Sequence, residues 1–428
     1  MMISKQQQVH NELHKLQEKE KYTSYQEELG FSKELNILRN DFYYQMVGDA
    51  ETSASLIDFL YQPLDVLSGD AYTARFIDES CTFYLIVDGM GKGLSASLTT
   101  MIMTSFINHL VDKMLEHDHF DLHLLVFESL AYIKKILLDE EALALDYILI
   151  DNEQEEISYA KFAMPASLMQ NLNGEILRLK SNNPPLSKYH DEFKISTCSI
   201  KDIEKFLFYS DGIVENSTEI PDMTYADFIE EDFKNSFTRK ELVEKIFKKI
   251  AEPEDDLTLA FINRINFTQE SFIASRTFKT SLACVDLAGE WYNEIFDSVC
   301  SDVKESYQAN VVFTELYMNA YEHGNLGVDS ATKHKLLDED KYFETLSLLE
   351  KECDKEIRVS LYKIVDNSSS YIVTKISDDG QGFDTQILSA IFRNSQAFNG
   401  RGVFVSRKNS MGIYYNTKGN TVLYLNKI

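Results

Sequence analysis

The sequence is short of several things that would have pointed elsewhere. Its 42 Lys and Arg are outnumbered by 69 Asp and Glu, for a net charge of −27. No basic stripe offsets that balance, so a nucleic-acid backbone is not an expected partner. The five cysteines (Cys81, Cys198, Cys284, Cys300, Cys353) have no metal-ligand spacing and read as reduced thiols. No apolar run approaches the roughly 20 residues that cross a bilayer. The N-terminal MMISKQQQVHNELHKLQ is too polar for a secretory signal. A cytoplasmic protein without a membrane partner is the expectation. There is no internal repeat.

At 428 residues the chain should hold two or three domains. Residues 3 to about 46 contain no proline and place apolar residues three and four apart: Val9, Leu13, Leu16, Tyr22, Tyr25, Leu29, Phe31, Leu35, Leu38 and Phe42. That is either a coiled-coil seam, broken in phase near Lys19–Glu20 and at Gly30, or an amphipathic helix packed on its own domain. The seam would make the protein a homodimer. Residues 49–265 alternate strand-like runs with helical ones: Ala71–Ile77, Thr82–Val87, Leu145–Ile150, Ile157–Phe162, Phe206–Tyr209 and Leu257–Ile262, with a helical stretch over Leu94–Leu138. Residues 266–428 read as a second α/β unit, helices first (Leu282–Val299, Asn310–His323) and strands last (Ile357–Ile364, Tyr371–Ser377, Thr421–Leu425). Asp329–Lys355 is a charged insertion, expected as a helical surface excursion. The fold class is α/β throughout.

Acids recur at strand ends in the central region. YLIVDGMGKGLSAS runs a core-type strand into Asp88 and three glycines, and Asp70 (SGDAYTARF), Asp211 (KFLFYSDGIVEN) and Asp255–Asp256 (EDDLTLAFIN) stand in comparable places. One strand-DG pair is more often a turn. Four acids at one sheet mouth would repel unless a cation sits between them. Oxygen donors without histidine or thiol favour a hard divalent cation.

A second constellation lies further on. Glu315, Asn319 and His323 are four apart, sharing one helix face with a drift of about 40° per step. VTKISDDGQGFD follows, with Asp378, Gly380 and Gly382, and then NGRGVFVSR, with Gly400, Arg401 and Gly402. A glycine pair opening a helix suits phosphate.

The ordered set GD, DGMGKG, YSDG and DDLT, spread over about 200 residues, resembles the metal-dependent protein Ser/Thr phosphatases (PPM superfamily) in their bacterial sporulation-phosphatase (SpoIIE-like) branch. The resemblance implies a β-sandwich flanked by helices and two Mn²⁺ or Mg²⁺ ions. Asp88 would bridge the ions, Gly89 would lend its carbonyl, Asp70 would share the first ion's shell, and Asp211 and Asp255 would complete the second. Asp256 stands where eukaryotic relatives often carry Asn. One departure is YAKFAMPASLM, residues 159–169, where the family has a glycine-rich substrate-side segment.

The set ExxxNAxxHG, DxGxG and GRG resembles the GHKL (HATPase, Bergerat) ATP-binding fold, in its anti-sigma-factor serine kinase branch. There Asn319 would hold Mg²⁺ on ATP, Asp378 would accept from the adenine amino group, Gly380 and Gly382 would let the backbone pass the nucleotide, and Gly400 to Gly402 would cradle phosphate. Glu315 matches the family's general base, and His323 is expected to be structural. Met411 stands where relatives often have an acid. A histidine kinase shares the fold but needs a phospho-accepting histidine ahead of it, and residues 264 to 309 contain none. Together the resemblances imply a bifunctional partner-switching regulator: dephosphorylation of a phosphoserine on an anti-sigma-factor antagonist (a STAS-domain protein), with an opposing kinase or sigma-factor binder at the C-terminus. A nucleotide-gated binding module without kinase activity, and a small-molecule phosphomonoesterase, are the alternatives.

Overall fold

The computed structural model describes residues 29–48, 50–91, 93–190, 192–250, 252–367, 369–385, 388 and 406–428. Residues 29–37 form helix α1. Strands β1 (Arg39–Asn40), β2 (Met46–Val47), β3 (Ser53–Gln62), β4 (Asp70–Phe76) and β5 (Cys81–Gly89) follow. Helices α2 (Leu94–Glu116) and α3 (Leu122–Ile133) precede β6 (Ala142–Asp151), β7 (Glu156–Phe162), β8 (Ser167–Asn171), β9 (Ile176–Leu179), β10 (Leu186–Ser187), β11 (Ser196–Ser199) and β12 (Ile203–Tyr209). Then come α4 (Asp211–Val214), α5 (Ile229–Lys234), α6 (Arg239–Lys249) and β13 (Leu257–Asn266).

These strands make two sheets, ordered β1-β4-β5-β6-β7-β11 (with β10 on β6) and β2-β3-β13-β12-β8-β9. The period-2 alternation of β5 sorts its side chains. Tyr84 and Ile86 meet Phe206 and Phe208 between the sheets, while Phe83, Leu85 and Val87 meet Met103, Ile107 and Leu125 of the helices. On the far side, Leu207, Leu259 and Phe261 pack against Phe233, Leu242 and Ile246. The result is helix, sheet, sheet, helix.

The single helical stretch expected over Leu94–Leu138 is two helices. Asp118 takes a left-handed φ of 50°, and the Asp121 side chain caps α3 by accepting from Leu124 N. By length and composition alone α2 is apolar enough to cross a membrane, which corrects the reading that no such run exists. Its Met103, Ile107 and Val111 are fully buried in the core beside β5, the environment of a core helix.

The C-terminal part contains β14 (Phe272–Lys279), α7 (Leu282–Val299), α8 (Val303–Asn319), a π-helical turn (Ala320–Asn325), α9 (Ser330–Asp338), α10 (Tyr342–Lys351), β15 (Glu356–Asp366), β16 (Ser369–Asp378), β17 (Gly412–Tyr415) and β18 (Thr421–Lys427). Its antiparallel sheet, ordered β14-β15-β16-β18-β17, buries Val359, Leu361, Ile372 and Ile376 against Tyr292, Phe313 and Leu316. The 329–355 insertion is helical, and it is also anchored: Leu346 is 1% exposed, and Lys333 and Tyr342 both donate to the buried Glu322.

The sheet's other face meets the central domain. Tyr371, Val373, Leu423 and Leu425 share a cluster with Met46, Ala54, Leu56, Phe237 and Ile265. Glu241, 6% exposed, accepts from Tyr371 Oη (2.7 Å) and Lys427 Nζ (2.6 Å) across that boundary. Residues 38–47 also belong to the body. Leu38 and Phe42 are buried in it, β1 runs parallel to β4 and β2 pairs with β3. A domain boundary after residue 48 therefore separates two paired strands. Val9 to Tyr25 of the proposed seam lie outside the described residues.

Candidate active site

The antiparallel pairing of β4 and β5 sets Asp70 opposite Asp88. Hairpin geometry alone puts two carboxylates side by side at one sheet end. Asp211 opens α4 directly after β12, and Asp255 precedes β13, the neighbour of β12. Two sheets thus deliver acids to one mouth.

Their mutual influence is strong. Burial chiefly raises the Asp88 pKa, and Asp70, Asp211 and Asp255 raise it further. Asp70, 3% exposed, is likewise raised first by burial and then by Asp256 and Asp211, against a hydrogen bond from Ser210 Oγ (2.6 Å). Among the described residues neither Asp70, Asp88 nor Asp211 forms an ion pair with Lys or Arg.

The acids are a pool rather than a finished shell. Among the described residues no three His, Cys, Asp or Glu side chains converge as ligands on one point. Asp70 is turned onto Ser210 Oγ, and Asp256 onto backbone amides of Leu64 and Gly69, each at 2.6 Å. Asp256 therefore acts as a strap on the loop that carries Asp70, which sequence reasoning could not assign. The donor set itself, carboxylates and backbone carbonyls without histidine or thiol, fits a hard divalent cation. Gly89 packs closely on α2: a Cβ there would lie 3.0 Å from Thr100 Cγ2 and 3.1 Å from Ala96 O, so the helix would have to give by a few tenths of an ångström. Gly212 is tighter: its Cβ would sit 2.0 Å from Asp256 O.

The departing segment at 159–169 is turned inward. Lys161, 0% exposed, pairs with the buried Asp146 and donates to Ser167 Oγ at 2.8 Å. It tethers β6 to the start of β8.

The C-terminal residues form a second locus. Glu315 and Asn319 lie one turn apart near the end of α8, which continues as the π-helical turn, a distortion frequent at functional sites. Asp378 ends β16 at its edge. A Cβ on Gly324 would lie 2.5 Å from the Asp378 carboxyl carbon, and one on Gly380 would lie 2.2 Å from Gly324 O. Two backbone segments, at Gly324 and Gly380, thus close on one carboxylate. Gly382 holds φ +77° with its Cβ position 1.8 Å from Lys418 O, so only glycine fits. Burial raises the Asp378 pKa to about 6, with the Gly380 amide (2.8 Å) opposing and Asp379 adding. The pKa of the Tyr415 phenol is raised chiefly by burial and further by Glu315 and Asp378.

Asn325 and Asn420 join this locus without having been singled out, beside Gly324, which closes the ExxxNAxxHG set but was given no role. Asn325 Oδ1 accepts from Asp379 N (2.9 Å) and Asn420 Nδ2 donates to Asp378 O (3.0 Å). The only signal for Gly324 was its place after His323. His323 Nδ1 contacts Val328 O, and Met411 packs at the boundary between the domains. Gly400, Arg401 and Gly402 lie outside the described residues.

Residues 78–265 match a sequence-family model described as Stage II sporulation protein E (SpoIIE). Phosphoserine phosphatase RsbP of Bacillus subtilis (strain 168) is 30% identical over 168 residues, which is 37% of this chain and 40% of that protein. The chain therefore matches less than half the length of this curated relative. Among solved structures, the PP2C domain of SiaA from Pseudomonas aeruginosa aligns with a TM-score of 0.41 at 16% identity, covering 48% of this chain and 85% of that one. The RsbU and RsbW domains of Rv1364c from Mycobacterium tuberculosis align with a TM-score of 0.44 at 12% identity, covering 88% of this chain and 94% of that one. The central region is thus similar to SpoIIE-type phosphatase domains.

Proposed function

We propose that the chain is a partner-switching regulator whose central domain is a divalent-metal-dependent phosphoserine phosphatase and whose C-terminal domain binds ATP. The observation that carries the first half is the Asp70–Asp88 register pair with Asp211 and Asp255 at the same mouth. Asp70, Asp88, Asp211, Asp255 and the Gly89 carbonyl would hold two Mn²⁺ or Mg²⁺ ions. The chemistry such ions supply is a water of lowered pKa and neutralised phosphoryl oxygens. The chain's own part is placement. Ser210 orients Asp70, Asp256 straps the 64–69 loop, and Gly89 lets α2 close on β5. No side-chain nucleophile is required. The test is release of phosphate from a phosphoseryl antagonist protein, dependent on added Mn²⁺; full activity in excess chelator would sink the reading. The similarity to RsbP supports a phosphoserine substrate over a small phosphomonoester.

For the C-terminal domain, Asn319, Asp378, Gly380, Gly382 and Gly400 to Gly402 would hold Mg²⁺ and ATP. Glu315 would take the proton from an attacking serine hydroxyl. Asp378→Asn should weaken ATP binding about 10-fold or more, the worth of a charge-assisted hydrogen bond. Because the Asp378 pKa stands near 6, its carboxylate is lost as pH falls through that value. Wild-type affinity for ATP should therefore drop between pH 7 and pH 5 by more than that of Asp378→Asn, which keeps only the part due to protonation of the nucleotide's own phosphate; calorimetric titration of both proteins at both pH values decides. Kinase activity itself is read by incubating the antagonist with ATP and a phosphatase-dead chain. An unlabelled antagonist would leave nucleotide-gated binding as the role of this domain.

The N-terminal segment is proposed to dimerise the chain. Removing residues 1–28, which spares β1 and β2, should halve the mass seen by light scattering. An unchanged mass refutes the dimer.

A further inference from the structure

Glu34 lies in α1, a turn before Leu38, yet it is 2% exposed. Its Oε1 accepts from Tyr61 Oη and, at 3.3 Å, from Ser68 N. Its Oε2 is buried without a hydrogen-bond partner among the described residues. Burial raises its pKa, against the hydrogen bonds from Tyr61 and Ser68. An apolar side chain would be the less costly occupant of such a place.

What the carboxylate touches is informative. Tyr61 is the penultimate residue of β3, and its hydroxyl oxygen stands 3.3 Å from the Asp70 carbonyl. Ser68 Oγ accepts from Asp70 N at 3.0 Å. The other side of the same loop is held by Asp256 through Leu64 N and Gly69 N. The loop that delivers Asp70 is therefore gripped at two places, one from within the phosphatase fold and one from α1.

We propose that Glu34 is a positioning residue for the metal site, fixing Tyr61 and Ser68 so that Asp70 stands where a cation between it and Asp88 needs it. The inference rests on the metal-phosphatase reading above. It makes α1 part of the site's support, so a displacement of α1 is felt first at Asp70. Outer-shell partners of metal ligands act in this way.

The test is Mn²⁺ binding to the full-length chain by calorimetric titration, alongside the Mn²⁺ concentration that half-activates hydrolysis. Glu34→Ala should raise both about 10-fold, leaving kcat at saturating Mn²⁺ within a factor of about two. Glu34→Gln keeps an acceptor for Tyr61 and Ser68 and should restore binding to within about threefold of wild type. Tyr61→Phe, a small change in volume, should reproduce part of the rise and serves if Glu34→Ala does not fold. Arg39→Ala removes a neighbouring pair with Asp112, partly exposed on both sides, and should change nothing. Wild-type-like binding by Glu34→Ala overturns the proposal, as does an equal rise in Arg39→Ala, which would mark general loosening of the segment. If wild type itself binds no Mn²⁺, the metal-site reading fails instead.

Discussion

Asp88→Asn is expected to abolish Mn²⁺-dependent hydrolysis and to weaken Mn²⁺ binding by at least about 100-fold, since even outer-shell partners cost about 10–100-fold. Asparagine keeps the shape and removes one charge from the position that faces Asp70. The same substitution should not harm the fold. In chelator, Asp88 is a desolvated acid among like charges, and neutralising it relieves that repulsion. Melting in excess chelator should therefore show Asp88→Asn at least as heat-resistant as wild type. A variant that loses stability together with affinity would mean that Asp88 is a structural acid, and the site assignment would fall.

Gly212→Ala should do the reverse, losing both. The added methyl must displace Asp256 O, only 2.0 Å from its ideal position, and Asp255 Cβ at 3.2 Å. Backbone cannot swing aside as a long side chain can, so α4 and the 255–256 turn must separate. Overpacking of this kind costs about 1–3 kcal/mol, and it moves Asp211 away from Asp255. The expected result is a lower melting temperature in chelator and Mn²⁺ binding weakened about 10-fold or more. Gly289→Ala is the control, because nothing lies within 4 Å of its Cβ position in α7; it should be neutral or stabilise by about 0.5–1 kcal/mol. Wild-type-like stability and Mn²⁺ binding in Gly212→Ala would show that the clash is relieved at no expense to the site, and equal losses in the two variants would show that the loss does not come from that clash.

Elements with one clean period were legible. β4 and β5 alternate between two buried layers, and α7 runs over the residues its spacing indicated, Leu282–Val299. β3 was not expected. Its SASLIDFLYQ mixes small residues with Asp58, which takes a hydrogen bond from Tyr414 in the C-terminal domain. A side chain whose partner lies 356 positions away leaves no local signature. β14 escaped because it is an edge strand exposed over most of its length. The break at His117–Asp121 carries neither glycine nor proline to announce it.

The candidate site divides along the same line. Asp70 and Asp88 could be nominated because one opens and the other closes a strand-like run, and their facing register follows from a hairpin of short connection. Asp255 and Asp256 are adjacent and chemically identical in sequence. Only the amides of Leu64 and Gly69 separate their roles. Glu34 sat inside a polar, charged segment where nothing marked it as buried.

The middle strands of the C-terminal sheet, β16 and β18, are covered on both faces, by helices on one and by the central domain on the other. That bears on modularity. Cut away after Phe267, the C-terminal half would present Tyr371, Val373, Leu423 and Leu425 as a bare apolar patch, the kind that drives self-association. Neither half is a cassette that can be exchanged freely with a relative. A transplant would have to carry Met46, Leu56, Phe237 and the Glu241 grip with it, so the two halves are bound to change together.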